Sequence, residues 1–231
     1  SYFIGFYGQQ AQFHLHHPLV GYYFLAVCQA ARGLGVPAVA AGLWQSALTM
    51  ATGVGLFYIL CRRHRCSVAV AAGAAWLLGS SVVTSVNGTK TELYGLSLLT
   101  SVLSLLALTA YLDAPSRRRA VVLYAASVLV LFVQMGSSFW IFAIYAGLAW
   151  QRRPEGFKTW SWQLIQGALT LVPIVTLAIL AGAINSQTAP QRQLFFNQFW
   201  RAHSVAEWFK CILVNTWVDF GMNGGLVLAA A

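Results

Sequence analysis

The sequence is short of charge, above all of negative charge. Only 8% of its 231 residues are charged, and Asp and Glu number five against fourteen Lys and Arg. A soluble domain carries about 25% charged residues because its surface faces water. The composition therefore excludes an ordinary water-soluble fold, and its hydrophobicity excludes intrinsic disorder. The four cysteines follow no zinc or redox spacing and do not form a disulfide framework.

What the sequence has instead is long apolar runs, with 58% hydrophobic residues overall. A bilayer core of about 30 Å needs roughly 20 apolar residues in a helix. Runs that satisfy this length occupy residues 38–60, 67–86, 93–112, 161–182 and 210–231. The composition thus predicts an all-α, polytopic transmembrane helical bundle, with residues 1–231 forming a single transmembrane domain.

The segment 120–150 is too long for one crossing and short for two. Cytoplasmic loops collect Lys and Arg, and three loops hold most of the basic residues: Arg62, Arg63 and Arg65; Arg117, Arg118 and Arg119; Arg152, Arg153 and Lys158. If 120–150 crosses twice, all three loops lie on the cytoplasmic side. We therefore expect a turn near 134–138, below the outer membrane surface and beside an outward-facing cavity. A single tilted helix is the alternative.

Counting that double crossing, we expect about seven crossings. Two further helices are expected to lie on the outer face. Residues 19–33 are short for a span and are bracketed by Pro18 and by the Gly33–Pro37 segment. Between Pro190 and Lys210, aromatic side chains share one helical face and polar side chains the other, which is typical of an interfacial helix.

This topology collects polar residues on the outer face, so any chemistry is expected there. Ionisable residues that enter a span are costly and often functional, and Glu92 lies at the outer mouth of span 93–112. The alternative is a headgroup-level ion pair with Lys90. Arg192 and Arg201 oppose the positive-inside trend, so they bind either anionic headgroups or a phosphate ligand.

Three histidines, His14, His16 and His17, also fall on the outer side. They lack a neighbouring carboxylate or Cys to complete a metal site, so interfacial hydrogen bonding is the simpler interpretation. The sequence predicts no metal site and no cofactor, and leaves the assistance of a divalent cation open.

Three local patterns follow one another along the chain. They are His17-Pro18-Leu19-Val20-Gly21-Tyr22, then Thr91-Glu92-Leu93-Tyr94-Gly95-Leu96 after a basic inner loop, then paired short helices around 134–138. This order resembles the GT-C superfamily of membrane glycosyltransferases, such as protein O-mannosyltransferases and lipid A aminoarabinose transferases. The resemblance covers nearly the whole chain in architecture, although each motif alone is weak.

The resemblance implies transfer of a sugar from a polyprenyl-phosphate donor to an acceptor on the outer (periplasmic or luminal) face, most simply of a bacterial inner membrane. It implies that basic residues hold the donor phosphate and that an outer carboxylate acts as general base. The catalytic residue is then Glu92, as the carboxylate that survives on the outer face and contacts acceptor or donor rather than removing a proton. Donor or acceptor contacts come from His14, His16, His17, Lys90, Tyr94, Arg192 and Arg201. Its partners would be membrane lipid and the lipid-linked sugar, not nucleic acid.

The sequence departs from the family pattern at its first outer loop. Residues 1–18 contain no Asp or Glu, and the second Pro of the family's His-Pro-Pro stretch is Leu19 here. We therefore expect a fragment that lacks the first span, with the general base upstream. Two alternatives remain open: a non-catalytic membrane scaffold or degenerate relative, and a transporter that uses Asp219.

Overall fold

The computed structural model of the protein describes residues 20–81, 94–134 and 138–176. Within these ranges the chain is all-α and forms no strand, which confirms the all-α part of the expected class. In chain order the helices are α1 (Val20–Gly33), α2 (Ala38–Arg63), α3 (Val68–Ser80), α4 (Tyr94–Asp113), α5 (Arg117–Val133), α6 (Ser138–Gln151) and α7 (Phe157–Leu169). A 3₁₀ turn, Arg153–Glu155, joins α6 to α7, and residues 172–176 are again helical.

Of the helices in the described ranges, two are long and apolar enough to cross a membrane, over Val39–Arg63 and Tyr94–Asp113. They coincide with the runs predicted at 38–60 and 93–112. In their most apolar windows only 28% and 39% of the residues are buried inside the bundle. The core helix of a soluble protein would be mostly buried, so these two helices present apolar surface outward.

Two of the expected spans are shorter in the structure. Helix α3 has 13 residues and ends at Ser80, so it is about 20 Å long at 1.5 Å per residue. The run predicted at 161–182 is interrupted in its described part, because α7 ends at Leu169 and a turn at 170–171 precedes the helical residues 172–176. Pro173 explains the interruption, since proline has no N–H to donate to the carbonyl of Leu169.

Of the seven crossings that the sequence predicts, the described part of the chain therefore supplies two helices of spanning length. The span expected at 210–231 and the outer helix expected between Pro190 and Lys210 lie outside the described residues.

The segment 120–150 is broken as predicted. Helix α5 ends at Val133, Gln134 has extended backbone (φ −149°, ψ 104°), and α6 begins at Ser138. The short helix expected at 19–33 is also present, as α1. Its end is sharp because Gly35 adopts a left-handed φ of 69°, which lets the N–H of Val36 donate to the carbonyl of Ala31 at 2.8 Å.

Helices α2 and α4 run parallel and pack closely. A side chain on Gly53 would meet Leu98 at 3.0 Å, and one on Gly95 would meet the backbone carbonyl of Ser46 at 2.8 Å. Ser46 of α2 therefore lies level with Gly95 of α4. Gly53, two turns further along α2, lies level with Leu98, which is also further along α4. Because both helices run the same way, they begin at one end of the bundle and finish at the other.

The end where α2 and α4 finish carries the three arginine-rich loops, and we call it the arginine end. Arg63 of the first loop forms an ion pair with Asp113, just before the second, at 2.6 Å. Arg152 of the third loop lies over the ring of Tyr111, 5.5 Å from its centroid. The three loops therefore meet at one end of the described bundle, as the charge pattern predicts.

The described bundle exposes many large apolar side chains and buries several small polar ones beside its apolar core. Large apolar side chains face outward, as in Trp76 (75% exposed) and Leu48 (67%), while Ser104 and Ser127 are fully buried. The buried hydroxyls donate back to carbonyls of their own helices, Ser104 to Ser101 at 2.7 Å and Ser127 to Leu123 at 2.8 Å. Small, internally satisfied residues between helices are typical of packing in a lipid environment.

Candidate functional site

The opposite end of the bundle, where α4 begins at Tyr94, is called the Tyr94 end. Tyr94 is the one sequence-predicted site residue inside the described ranges, and its side chain is 43% exposed. The other candidates lie outside the described residues: His14, His16, His17, Lys90, Glu92, Arg192 and Arg201. In the sequence, His17 precedes the start of α1 by three residues, and Glu92 precedes Tyr94 by two.

The first turn of α4 is fixed by the absence of a side chain at Gly95. A Cβ there would contact the Thr49 hydroxyl as well as the backbone of Ser46 and Met50. Only glycine lets α4 come this close to α2 at its beginning. Tyr94 therefore projects from a helix start that is held firmly against its neighbour.

A group of polar side chains lies at the Tyr94 end. Tyr23 of α1 donates from its hydroxyl to Oε1 of Gln45 at 3.1 Å, and Gln45 donates from Nε2 to the Ser46 hydroxyl at 3.2 Å. Burial raises the pKa of Tyr23, so its hydroxyl keeps the proton that this hydrogen bond uses. The bond joins α1 to α2 at the level of the first turns of α4.

A second hydrogen bond ties the break after α5 to α4. The Ser97 hydroxyl donates to Oε1 of Gln134 at 2.8 Å, and Val133 beside it packs in a cluster with Val20, Phe24 and Cys28 of α1. The sequence predicts the break but not this hydrogen bond. The bond could have been suspected, because Ser97 and Gln134 are polar residues in otherwise apolar segments.

Replacing Ser97 by Ala is expected to lower the free energy of unfolding by about 1 kcal/mol, since it removes a part-buried hydrogen bond. Chemical unfolding of the purified protein in detergent measures this change. Ser101→Ala, one turn further along α4, is the matched control, because the Ser101 side chain makes no hydrogen bond within the described part. Equal losses for the two variants would contradict the assigned contact.

The arginine end holds a cleft that sequence reasoning missed. It has a volume of about 600 Å³ and lies between the beginning of α5 and the middle and end of α7. Its polar lining includes Arg117, Arg152, Gln163 and Gln166, with Trp162 at its side. The sequence predicts chemistry on the outer face, yet the pair Gln163 and Gln166 in an apolar helix could have indicated a site at this end.

Two carboxylates lie in the described ranges, and both are at the arginine end. Asp113 pairs with Arg63 at 2.6 Å, and Glu155 pairs with Arg152 at 3.1 Å. Neither is placed to act at the Tyr94 end. Across residues 20–81, 94–134 and 138–176, no group of three His, Cys, Asp or Glu side chains could hold a metal ion.

Comparison with protein-family models, with curated proteins and with solved structures found no match for this chain. The resemblance to the GT-C superfamily therefore stands on the ordered sequence patterns alone.

Proposed function

We propose that the chain belongs to a multi-pass membrane glycosyltransferase that moves a sugar from a polyprenyl-phosphate donor to an acceptor on the outer face. The observation that supports it best is the meeting of the three arginine-rich loops at one end of the bundle. Such loops stay on the cytoplasmic side of a membrane. The Tyr94 end then faces outward, most simply from a bacterial inner membrane.

The exposed apolar surface supports a membrane environment for this proposal. Apolar side chains as large as Trp76 are 75% exposed, and water would not tolerate a surface of this kind over a whole bundle. The helices shorter than about 20 residues would cross with help from partner helices or would end inside the bilayer. This arrangement suits a site that opens to both lipid and water.

In this proposal the outer polar residues act together around the donor. Arg192 and Arg201 hold the phosphate leaving group, because a guanidinium binds phosphate oxygens through two parallel hydrogen bonds. Glu92 contacts the acceptor or the sugar. Positive charge that is already fixed beside the leaving phosphate stabilises the transition state, because the surrounding groups need not reorient during the reaction. Tyr94 and the three histidines line the approach of donor or acceptor.

The test is sugar transfer from a radiolabelled polyprenyl-phosphate donor by the full-length protein in sealed, right-side-out membrane vesicles. The expected result is product formed from acceptor supplied outside, in amounts that scale with the protein. Vesicles that carry the full-length protein but form no labelled product with any of a panel of donors would contradict the proposal.

One observation favours a second candidate, a non-catalytic membrane scaffold related to such enzymes. Both described carboxylates are engaged in ion pairs at the arginine end, so the described bundle offers no base at the Tyr94 end. For a scaffold, the protein would be expected to co-purify stably with partner membrane proteins and to leave the labelled donor unchanged.

A further inference from the structure

The cleft at the arginine end is a groove between two helix faces. On α5 its wall is formed by Arg117, Val121 and Tyr124, which are spaced by four and then three residues and so share one face. On α7 the wall is formed by Trp162, Gln166 and Leu169 in a similar spacing. The Tyr124 hydroxyl donates to the carbonyl of Leu169 at 3.1 Å. The groove thus runs from the basic loops toward the interior, and this hydrogen bond joins its two walls.

One wall of the groove carries a positive charge that is paired with no described residue. Arg117 makes no hydrogen bond or ion pair with another residue in the described ranges, whereas Arg152 on the other side is paired with Glu155 at 3.1 Å. Arg117 is also the first residue of α5, whose N-cap is Ser116. A helix start adds partial positive charge and N–H donors to the site.

A second, independent feature points to a ligand. Gln163 lines the cleft and is only 4% exposed. Its Oε1 has no hydrogen-bond partner among the described residues. A buried acceptor without a donor destabilises a protein, so a bound group with a hydroxyl or ammonium donor would satisfy it. The cleft therefore combines a place for an anion with a place for a hydrogen-bond donor.

We propose that this cleft binds the headgroup of an anionic phospholipid, a phosphodiester that carries a free hydroxyl. The phosphate lies beside Arg117 and the start of α5, and the headgroup hydroxyl donates to Oε1 of Gln163. The acyl chains leave along the exposed apolar side chains Val121 (60% exposed) and Leu169 (41%). Trp162 stands at the level of the headgroups, where tryptophan is enriched.

This site goes beyond the proposed sugar transfer and does not depend on it, since it lies at the opposite end of the bundle. It predicts a specific lipid at the cytoplasmic side, distinct from the polyprenyl-phosphate donor on the outer side. It also gives the second and third basic loops a function besides orientation.

The first test is the affinity of the full chain in detergent for dioctanoyl phosphatidylglycerol, measured by native mass spectrometry. Arg117→Gln is expected to weaken binding by about tenfold, the loss that follows from one charge-assisted hydrogen bond. Arg118→Gln removes the same charge from the next residue, which does not line the cleft, and is expected to change affinity by less than about twofold. Equal losses would overturn the proposal in favour of diffuse attraction by the basic loops.

The second test separates a binding role of Gln163 from a structural one. Gln163→Leu keeps a similar volume and removes the unpartnered acceptor. The lipid-free protein is expected to unfold at the same temperature or higher, while its affinity for phosphatidylglycerol falls by several-fold. Unchanged affinity would overturn the role of Gln163 and with it the hydroxyl recognition.

The source of the phosphate is decided by two further probes. Dioctanoyl phosphatidylcholine has the phosphodiester but no donor for Gln163, and is expected to bind at least about tenfold more weakly. Glycerol phosphate has the phosphate and hydroxyls but no acyl chains to bury, and is also expected to bind much more weakly. Glycerol phosphate binding as tightly as the lipid would overturn the assignment to a lipid.

Discussion

Glu92→Gln is expected to lower the rate of sugar transfer by about 100-fold or more, without changing the amount of folded protein in the membrane. A carboxylate that accepts a hydrogen bond from the acceptor, or stabilises charge on the sugar as it moves, contributes on the order of 10²–10³-fold. Gln keeps the size of the side chain but removes its charge. The rate with radiolabelled donor, in membranes containing the full-length protein, measures the effect.

Glu155→Gln is the matched control for this experiment. It removes the same charge from the arginine end, where Glu155 pairs with Arg152 at 3.1 Å and is largely exposed. A surface ion pair contributes little to stability, so turnover is expected to stay near that of the wild type. Wild-type turnover in Glu92→Gln would contradict the assignment of Glu92, and Arg201→Ala tests the phosphate contact in the same way.

The second large effect is expected at Gly95. Gly95→Ala should lower the free energy of unfolding by about 1–3 kcal/mol, because its Cβ would meet the carbonyl oxygen of Ser46 at 2.8 Å and the amide nitrogen of Met50 at 3.1 Å. These are backbone atoms, so the helices α2 and α4 must move apart. Thermal or chemical unfolding in detergent measures the loss.

Gly55→Ala is the matched control, and it is expected to change the free energy of unfolding in the opposite direction to Gly95→Ala. Gly55 lies in α2, and a Cβ built on it would have no neighbour within 4 Å. Alanine at such a position is expected to stabilise the helix by about 0.5–1 kcal/mol, because it reduces the freedom of the unfolded chain. A Gly95→Ala variant as stable as Gly55→Ala would contradict the close parallel packing of α2 and α4.

The long helices could be predicted from the sequence for a simple physical reason. Uninterrupted apolar runs leave no competing signal, and both α2 and α4 finish at charged residues, Arg63 and Asp113. The break between α5 and α6 could be predicted because charge placement favoured a double crossing and the 134–138 segment carries Gly and Ser. In each case a single property of many residues, hydropathy for the helices and charge placement for the break, determined the prediction.

Other features could not be predicted because they depend on single residues or on contacts distant in sequence. The end of α7 before Pro173 was not predicted, because a hydropathy pattern does not show that proline lacks the backbone N–H a continuous helix needs. The cleft was missed because its walls come from α5 and α7, and nothing in the sequence places Arg117 near Gln163. Of the predicted sugar-transfer residues, Tyr94 lies in the described ranges, and the roles of all of them remain predictions.

The most direct test of the whole account is the side of the membrane on which each end of the bundle lies. The four native cysteines are replaced, and single cysteines are placed at Arg118, Arg153 and Tyr94. A membrane-impermeant maleimide is then added to right-side-out vesicles. The account predicts that Tyr94→Cys is labelled at once, and that Arg118→Cys and Arg153→Cys are labelled only after permeabilisation. Labelling of positions 118 and 153 from opposite sides would contradict it.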